Sequence, residues 1–151
     1  MSLIFRTVNK ENIKEMRFIA ETDSRIPVEY DPTYIFTESS IDTRLEFYQQ
    51  LSDDDFFEVV SDGDEIVAFH IVKKIPYPPT FHVGNIITSW VHPDHRGQGL
   101  LSKLKANAVS WAKKSEMIFM QTNVHKNNQR MLDINEKNGF ESAYINMRKR
   151  L

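Results

Sequence analysis

The sequence predicts one mixed α/β domain of the α+β kind over residues 1–151, with elements in the order β-α-α-β-β-β-α-β-α-β. Three observations predict it. Asp62-Gly63 joins two strand-like runs, 56–60 and 66–75, as a hairpin turn, because Asp-Gly tolerates positive φ. Leu100, Leu101, Leu104, Ala108, Val109, Trp111 and Ala112 recur at helical spacing and form one broad apolar face. A third strand-like run, 81–91, feeds that helix through a short turn containing glycine.

The elements follow in order. Residues 3–8 mix apolar and polar side chains as an opening strand does. Asn9 can cap a helix that carries Ile13, Met16, Ile19 and Ala20 on one face. Pro27 and Pro32 make 23–37 irregular. A second helix starts at Ser40 or Asp42 and carries Ile41, Leu45 and Tyr48. It ends at about Leu51, before an acidic run at 52–55. That run reads as a solvated turn rather than a metal site, because three consecutive side chains do not converge. After the hairpin, Pro76, Pro78 and Pro79 interrupt the return strand, since proline lacks the donor a ladder needs. The long helix ends near Lys113-Lys114, where basic residues suit the negative end of the helix dipole. A short strand at 117–120 and a helix holding Met131, Leu132, Ile134 and Asn135 come next. Gly139 stops that helix, and 141–151 reads as a closing strand.

Composition excludes several classes. No cysteine is present, so neither a disulfide framework nor a Cys-based zinc module can form, and no metal-ligand set is predicted. Ten Phe, five Tyr and two Trp argue against disorder. A formal charge of -2 offers no electrostatic case for nucleic acid or an anionic membrane surface. No apolar run approaches the roughly 20 residues of a membrane span, and residues 1–10 lack a signal-peptide core. The expected setting is cytoplasmic, which a cysteine-free chain fits without demanding it.

The most informative segment is Val91-His92-Pro93-Asp94-His95-Arg96-Gly97-Gln98-Gly99-Leu100-Leu101. Two glycines let the backbone approach a ligand closely. The free N–H groups at the helix start and the positive dipole end make an anion site, and Arg96 adds a cation. The chemistry is that of a phosphate or pyrophosphate held mainly by backbone. The glycines could instead only tighten the turn. The segment is neither a Walker A loop nor a dinucleotide fingerprint, because no Gly-Lys-Ser/Thr follows and a third glycine is missing.

Val91, Pro93, Arg96, Gly97 and Gly99, in the pattern Val-x-Pro-x-x-Arg-Gly-x-Gly, resemble the acetyl-CoA signature of the GNAT superfamily of N-acetyltransferases. A second block, Asn123, Asn127-Asn128, Met131-Leu132, Ile134-Asn135-Glu136 and Gly139-Phe140, resembles that superfamily's closing motif. The specific likeness covers about 84–140; the first 60 residues match in layout. The resemblance implies a GNAT fold: a mixed, mostly antiparallel sheet of six or seven strands, about four flanking helices, and strands splayed at the cofactor. It implies acetyl-CoA as acyl donor and an amine acceptor, and it allows a homodimer.

The resemblance also places residues. Trp90, Val91 and His92 would pair with the pantetheine arm. Arg96, Gly97, Gln98, Gly99, Leu100 and Leu101 would form the pyrophosphate loop, with Ser102 adding a hydroxyl. Asn123 and Asn128 fall where the family has cofactor contacts; capping of the last helix is the competing reading, equal in weight for Asn128 and the lesser one for Asn123. The superfamily's usual small last residue of the loop is Leu101 here, and its usual thiolate-protonating Tyr is Asn135, an amide that donates a hydrogen bond but no proton at neutral pH.

Catalytic candidates are Asn135, Ser89 and His82, with Thr88, His92, His70, Glu58 and Glu38 as further groups that could meet the acceptor. For each, an ordinary structural role competes. Without a cysteine nucleophile, direct transfer within a ternary complex is the expected route. The rival readings are a CoA-binding module that has lost catalysis, suggested by Asn135, and a nucleotide-phosphate binder.

Overall fold

A computed structural model describes residues 2–151 of the chain. Five strands form one sheet in the order β1-β2-β3-β4-β5: β1 Leu3–Thr7, β2 Phe56–Asp62, β3 Glu65–Tyr77, β4 Phe81–Val91 and β5 Met120–Gln121. The first four are antiparallel neighbours; β5 runs parallel to β4. Helices α1 (Ile13–Tyr30) and α2 (Glu38–Gln49) cover one face, while α3 (Leu100–Lys114) and α4 (Gln129–Lys137) cover the other.

Strand alternation sorts the core into two layers. Val59, Phe69 and Ile71 pack with Met16, Ile19, Ile41 and Tyr48. Val60, Ala68 and Val91 pack with Leu100, Leu101 and Leu104, and with Met131 and Ile134 of α4. Each fully buried large side chain contributes about 1.5–3 kcal/mol. The hairpin turns at Gly63, whose φ of 60° makes glycine the natural occupant.

Four local expectations change. Asn12, not Asn9, caps α1: its side chain accepts from the Glu15 amide at 3.1 Å. Glu15 in turn accepts from the Asn9 amide at 3.0 Å and pairs with Arg6, so Asn9 belongs to the approach rather than the cap. Second, α1 continues through Pro27 to Tyr30. The Tyr34 hydroxyl donates to the Ser24 carbonyl at 2.9 Å and the Asp31 amide to the Pro27 carbonyl at 2.8 Å, which satisfies acceptors around the proline. Third, β3 runs to Tyr77, with Pro76 paired opposite His82 at the strand's far end. Fourth, residues 141–151 form no regular element and join no strand. The described sheet therefore has five strands rather than six or seven. Their apolar members Tyr144, Ile145 and Met147 lie in solvent.

The feature that positions the site is where β4 and β5 part. They pair only at Gly84–Met120 and Asn85–Gln121. Beyond Asn85 the outer edge of β4 has no strand beside it. An irregularity falls at the same point: Ile71 opposes Thr88 and Val72 opposes Ile86, so Ile87 is an extra residue, a β-bulge. The bulge lies at Ile87, four residues before Val91.

Candidate active site

The bulge decides which backbone groups face the open edge. In an antiparallel ladder, alternate residues direct their N–H and C=O to one neighbour. Gly84 donates outward to the Phe119 carbonyl at 3.0 Å, whereas His92 donates inward to the Val67 carbonyl at 2.8 Å. The parity switches at Ile87. Trp90 and His92 therefore bond to β3, and Ser89 and Val91 turn their backbone groups to the open edge. Of the expected trio, Val91 alone shows its backbone there, and Ser89 joins it.

The side chains of these residues divide between the faces. Trp90 lies on the α1 side, stacked on Phe69 with centroids 5.3 Å apart and met edge-on by Phe18. His92 accepts from the Asp94 amide through Nδ1 at 3.1 Å and so caps the short turn Pro93–His95. Ser89 faces α3, with its hydroxyl 2.7 Å from Nδ1 of His70. His70 is fully buried, and burial, helped by the positive charge of Lys105, pushes its pKa down to about 3. It stays neutral near pH 7 and is a poor general base. Its role is to fix Ser89.

The Gly97–Gly99 loop closes the open end of this edge. Gly97 and Gly99 both adopt φ of 77°, and no heavy atom lies within 4 Å of where a Cβ would sit on either. Gly99 is the N-cap of α3 and has no side-chain capping bond, which leaves the helix's first amides available. Leu100 and Leu101 are buried in the core, so Leu101 faces the protein and only their backbone meets the loop. Gln98 and Ser102 are exposed beside it. Arg96 is exposed; its Nε donates to the outward-facing Val91 carbonyl at 3.2 Å, which aims the rest of the guanidinium.

A second cation, which no sequence motif marks, stands beside Arg96. Arg130 lies in the first turn of α4, and its pKa is lowered by burial and then by the charge of Arg96. Neither arginine has a carboxylate partner among the described residues. Tyr30 completes the cluster, its hydroxyl held above the usual range mainly by burial and drawn back down by both arginines. A cation in a helix's first turn opposes the dipole. That misfit at Arg130 is the one signal of it the sequence carries.

The remaining candidates scatter. Asn128 caps α4, accepting from the Met131 amide at 3.1 Å. Asn123 is exposed on the segment leaving β5. Asn135 is buried, and its Oδ1 has no hydrogen-bond partner. His82 is exposed opposite Pro76, on the closed side of the splay, so the structure does not bring it to Ser89. Glu58 accepts from Asn107 of α3 at 2.6 Å, and Glu38 is exposed at the start of α2. Asp55, from the acidic run, accepts from the Ser52 and Lys74 amides, which makes it a structural cap.

A backbone edge without a neighbour, a glycine cradle without side chains, a helix start without a cap and two unpaired arginines together fit an elongated ligand with phosphates at one end. The family model for the acetyltransferase (GNAT) family matches residues 17–140, and the chain belongs to that family. It is an acetyltransferase, and its acyl donor is acetyl-CoA. Among solved structures it resembles a predicted acetyltransferase from Clostridium acetobutylicum with acetyl-CoA (17% identity, 97% of this chain and 96% of that one, TM-score 0.76). It also resembles ribosomal-protein-alanine N-acetyltransferase from Brucella melitensis biovar Abortus 2308 (15% identity, 99% and 100%, TM-score 0.72). AAC(6')-Iy in complex with the bisubstrate analogue CoA-S-monomethyl-acetylneamine is a third (17% identity, 100% of both chains, TM-score 0.71). No curated protein matches the chain. No helix among the described residues is long and apolar enough to cross a membrane.

Proposed function

We propose that this chain moves the acetyl group of acetyl-CoA to a primary amine of a small molecule or peptide, by direct transfer in a ternary complex. The observation that carries the reading is the open edge of β4, which leads from the bulge at Ile87 straight into the Gly97–Gly99 loop. Acetyl-CoA supplies a thioester: the amine nitrogen bonds to the acyl carbon, the C–S bond breaks, sulfur leaves as the CoA thiolate, and the amine proton passes to water.

The residues divide that work. The α3 amides, Gly97 and Gly99 hold the pyrophosphate, and Arg96 with Arg130 neutralises its charge. The outward N–H and C=O groups of Ser89 and Val91 pair with the amides of the pantetheine arm. The outward-facing amide of Ile86, at the bulge, is placed to donate to the acyl oxygen. Asn135 is assigned to the departing sulfur by its position in the closing motif; its amide can donate a hydrogen bond there but no proton. Catalysis then rests on positioning. Aromatic and polar residues of the α1–α2 connection, Tyr34 and Phe36 among them, wall the acceptor side.

Calorimetric titration with acetyl-CoA tests the binding half. Wild type is expected to bind it, and Gly99→Glu to lose binding while keeping its far-ultraviolet circular dichroism. Retained affinity in the variant would remove the pyrophosphate assignment. Release of free thiol with a panel of amines tests the transfer half. A second reading, a CoA-binding module without catalysis, draws on Asn135; binding without thiol release from any amine would favour it.

A further inference from the structure

A cavity of about 180 Å³ opens on the α3 side of the sheet, lined by His70, Ile86, Lys105, Met120, Asn138 and Phe140 among others. It lies at the vertex of the splay. Ile86 is the first residue of β4 past its last pair with β5, and Met120 is the β5 residue paired with Gly84. The phosphate loop is at the other, open end of the same strand edge.

The cavity wall is mostly apolar; its polar members are His70, Lys105 and Asn138, whose Nδ2 donates to the Ile134 carbonyl at 2.7 Å. His70 is fully buried, and its Nε2 has no hydrogen-bond partner. Its Nδ1 lies 2.7 Å from the Ser89 hydroxyl, a hydrogen bond that either atom can donate. Lys105 is only 4% exposed and has no carboxylate within ion-pairing distance among the described residues. Its ammonium is 5.6 Å from the centroid of Phe140, a contact that offsets part of the cost of burying a cation. Glu58, the carboxylate opposite His70 on β2, is taken up by Asn107. Lys105 is thus a cationic donor with no acid beside it among the described residues, and a carboxylate is the small group that matches both its charge and its hydrogen bonds.

We propose that this cavity extends the acyl site, and that the chain accepts a short acyl chain ending in a carboxylate, of the succinyl type, in preference to a neutral chain of equal length. The proposal rests on the reading of the β4 edge as the acetyl-CoA site. The bonds made and broken are those of acetyl transfer; the distal carboxylate is a spectator held by Lys105. The apolar walls take the methylene groups between the two ends.

Calorimetric titration at pH 7 with acetyl-CoA, butyryl-CoA, succinyl-CoA and free succinate decides it. Succinyl-CoA is expected to bind at least about tenfold more tightly than butyryl-CoA, since a buried charged hydrogen bond supports a difference of that order. Lys105→Met, which keeps the length of the side chain and removes its charge, is expected to erase that ratio. Butyryl-CoA binding as well as or better than succinyl-CoA overturns the proposal, as does a ratio that survives in Lys105→Met. Should that variant fail to fold, the ratio measured on wild type alone decides. Tight binding of free succinate with no gain for succinyl-CoA would make the cavity a separate carboxylate site and also overturn the proposal. Acetyl-CoA binding without a succinyl advantage sinks this inference alone; no binding by any thioester sinks the cofactor reading with it.

Discussion

Arg130 occupies the first turn of α4, where the helix dipole opposes a positive charge, and it stands near Arg96 with no carboxylate ion-paired to either among the described residues. A residue held at such a disadvantage in the free protein gains most when an anion arrives. Arg130→Ala is therefore expected to raise the Kd for acetyl-CoA about tenfold, the scale of one lost charged hydrogen bond. Its affinity should also fall less steeply with salt than that of wild type, because one cation fewer meets the phosphates. Titration at two ionic strengths reads both effects, and an unchanged Kd would exclude Arg130 from the anion site. Within this site, the glycine turn and Arg96 are legible from their spacing in the chain. Arg130 is not, because nothing in the sequence says that the start of α4 lies beside the start of α3.

Between elements, α1 and α2 are clasped by one polar cluster. The Tyr48 hydroxyl donates to Asp23, and Arg44 donates to the same carboxylate at 3.0 Å. Tyr48 is buried, and its pKa is pushed up first by that burial and then by the Asp23 charge. Tyr48→Phe keeps the packing against Phe57 and removes the donor, leaving Asp23 with Arg44 alone. The expected cost is about 1–2 kcal/mol, measured by urea denaturation; a variant as stable as wild type would mean the clasp contributes nothing. The same helix pair shows why element boundaries escape sequence reading. Pro27 and the polar stretch after it signal a break, yet tertiary partners such as the Tyr34 hydroxyl let α1 run on to Tyr30.

At the scale of the molecule, one buried charge links stability to pH. Burial lowers the Lys105 pKa to about 8 from the 10.5 of an exposed lysine, and no acid offsets it; the neighbouring ionisable group, His70, is neutral at these pH values. Between those two pH values the unfolded chain binds the proton and the folded chain does not, so stability rises with pH. The gain is complete above about 10.5 and is lost as pH falls through about 8. Wild type should show this rise in denaturant midpoint, and Lys105→Met should lack it. An identical pH profile in the two proteins would contradict the burial of a titrating amine. A second expectation concerns residues 141–151. They bury no large apolar side chain and touch the body chiefly through Arg148, paired with Asp31 at 2.8 Å. Deleting them should change the unfolding free energy by no more than about 0.5 kcal/mol; a larger loss would show that they pack on the body.

Periodicity and local chemistry are legible along the chain without its fold. The hairpin at Asp62-Gly63, the apolar face of α3, the glycine turn at Gly97–Gly99 and the stop at Gly139 each depend on residues within a few positions of one another, so each could be read off the chain. Tertiary structure alone decided the rest. The bulge at Ile87 flips which backbone groups face outward, and one inserted residue shows only against its paired strand. Arg130 comes within electrostatic reach of Arg96, and Lys105 within reach of His70 at the vertex of β4 and β5, although each pair is more than thirty positions apart in the chain. The strand pattern at 141–151 found no partner, since a strand exists only where another backbone takes its hydrogen bonds.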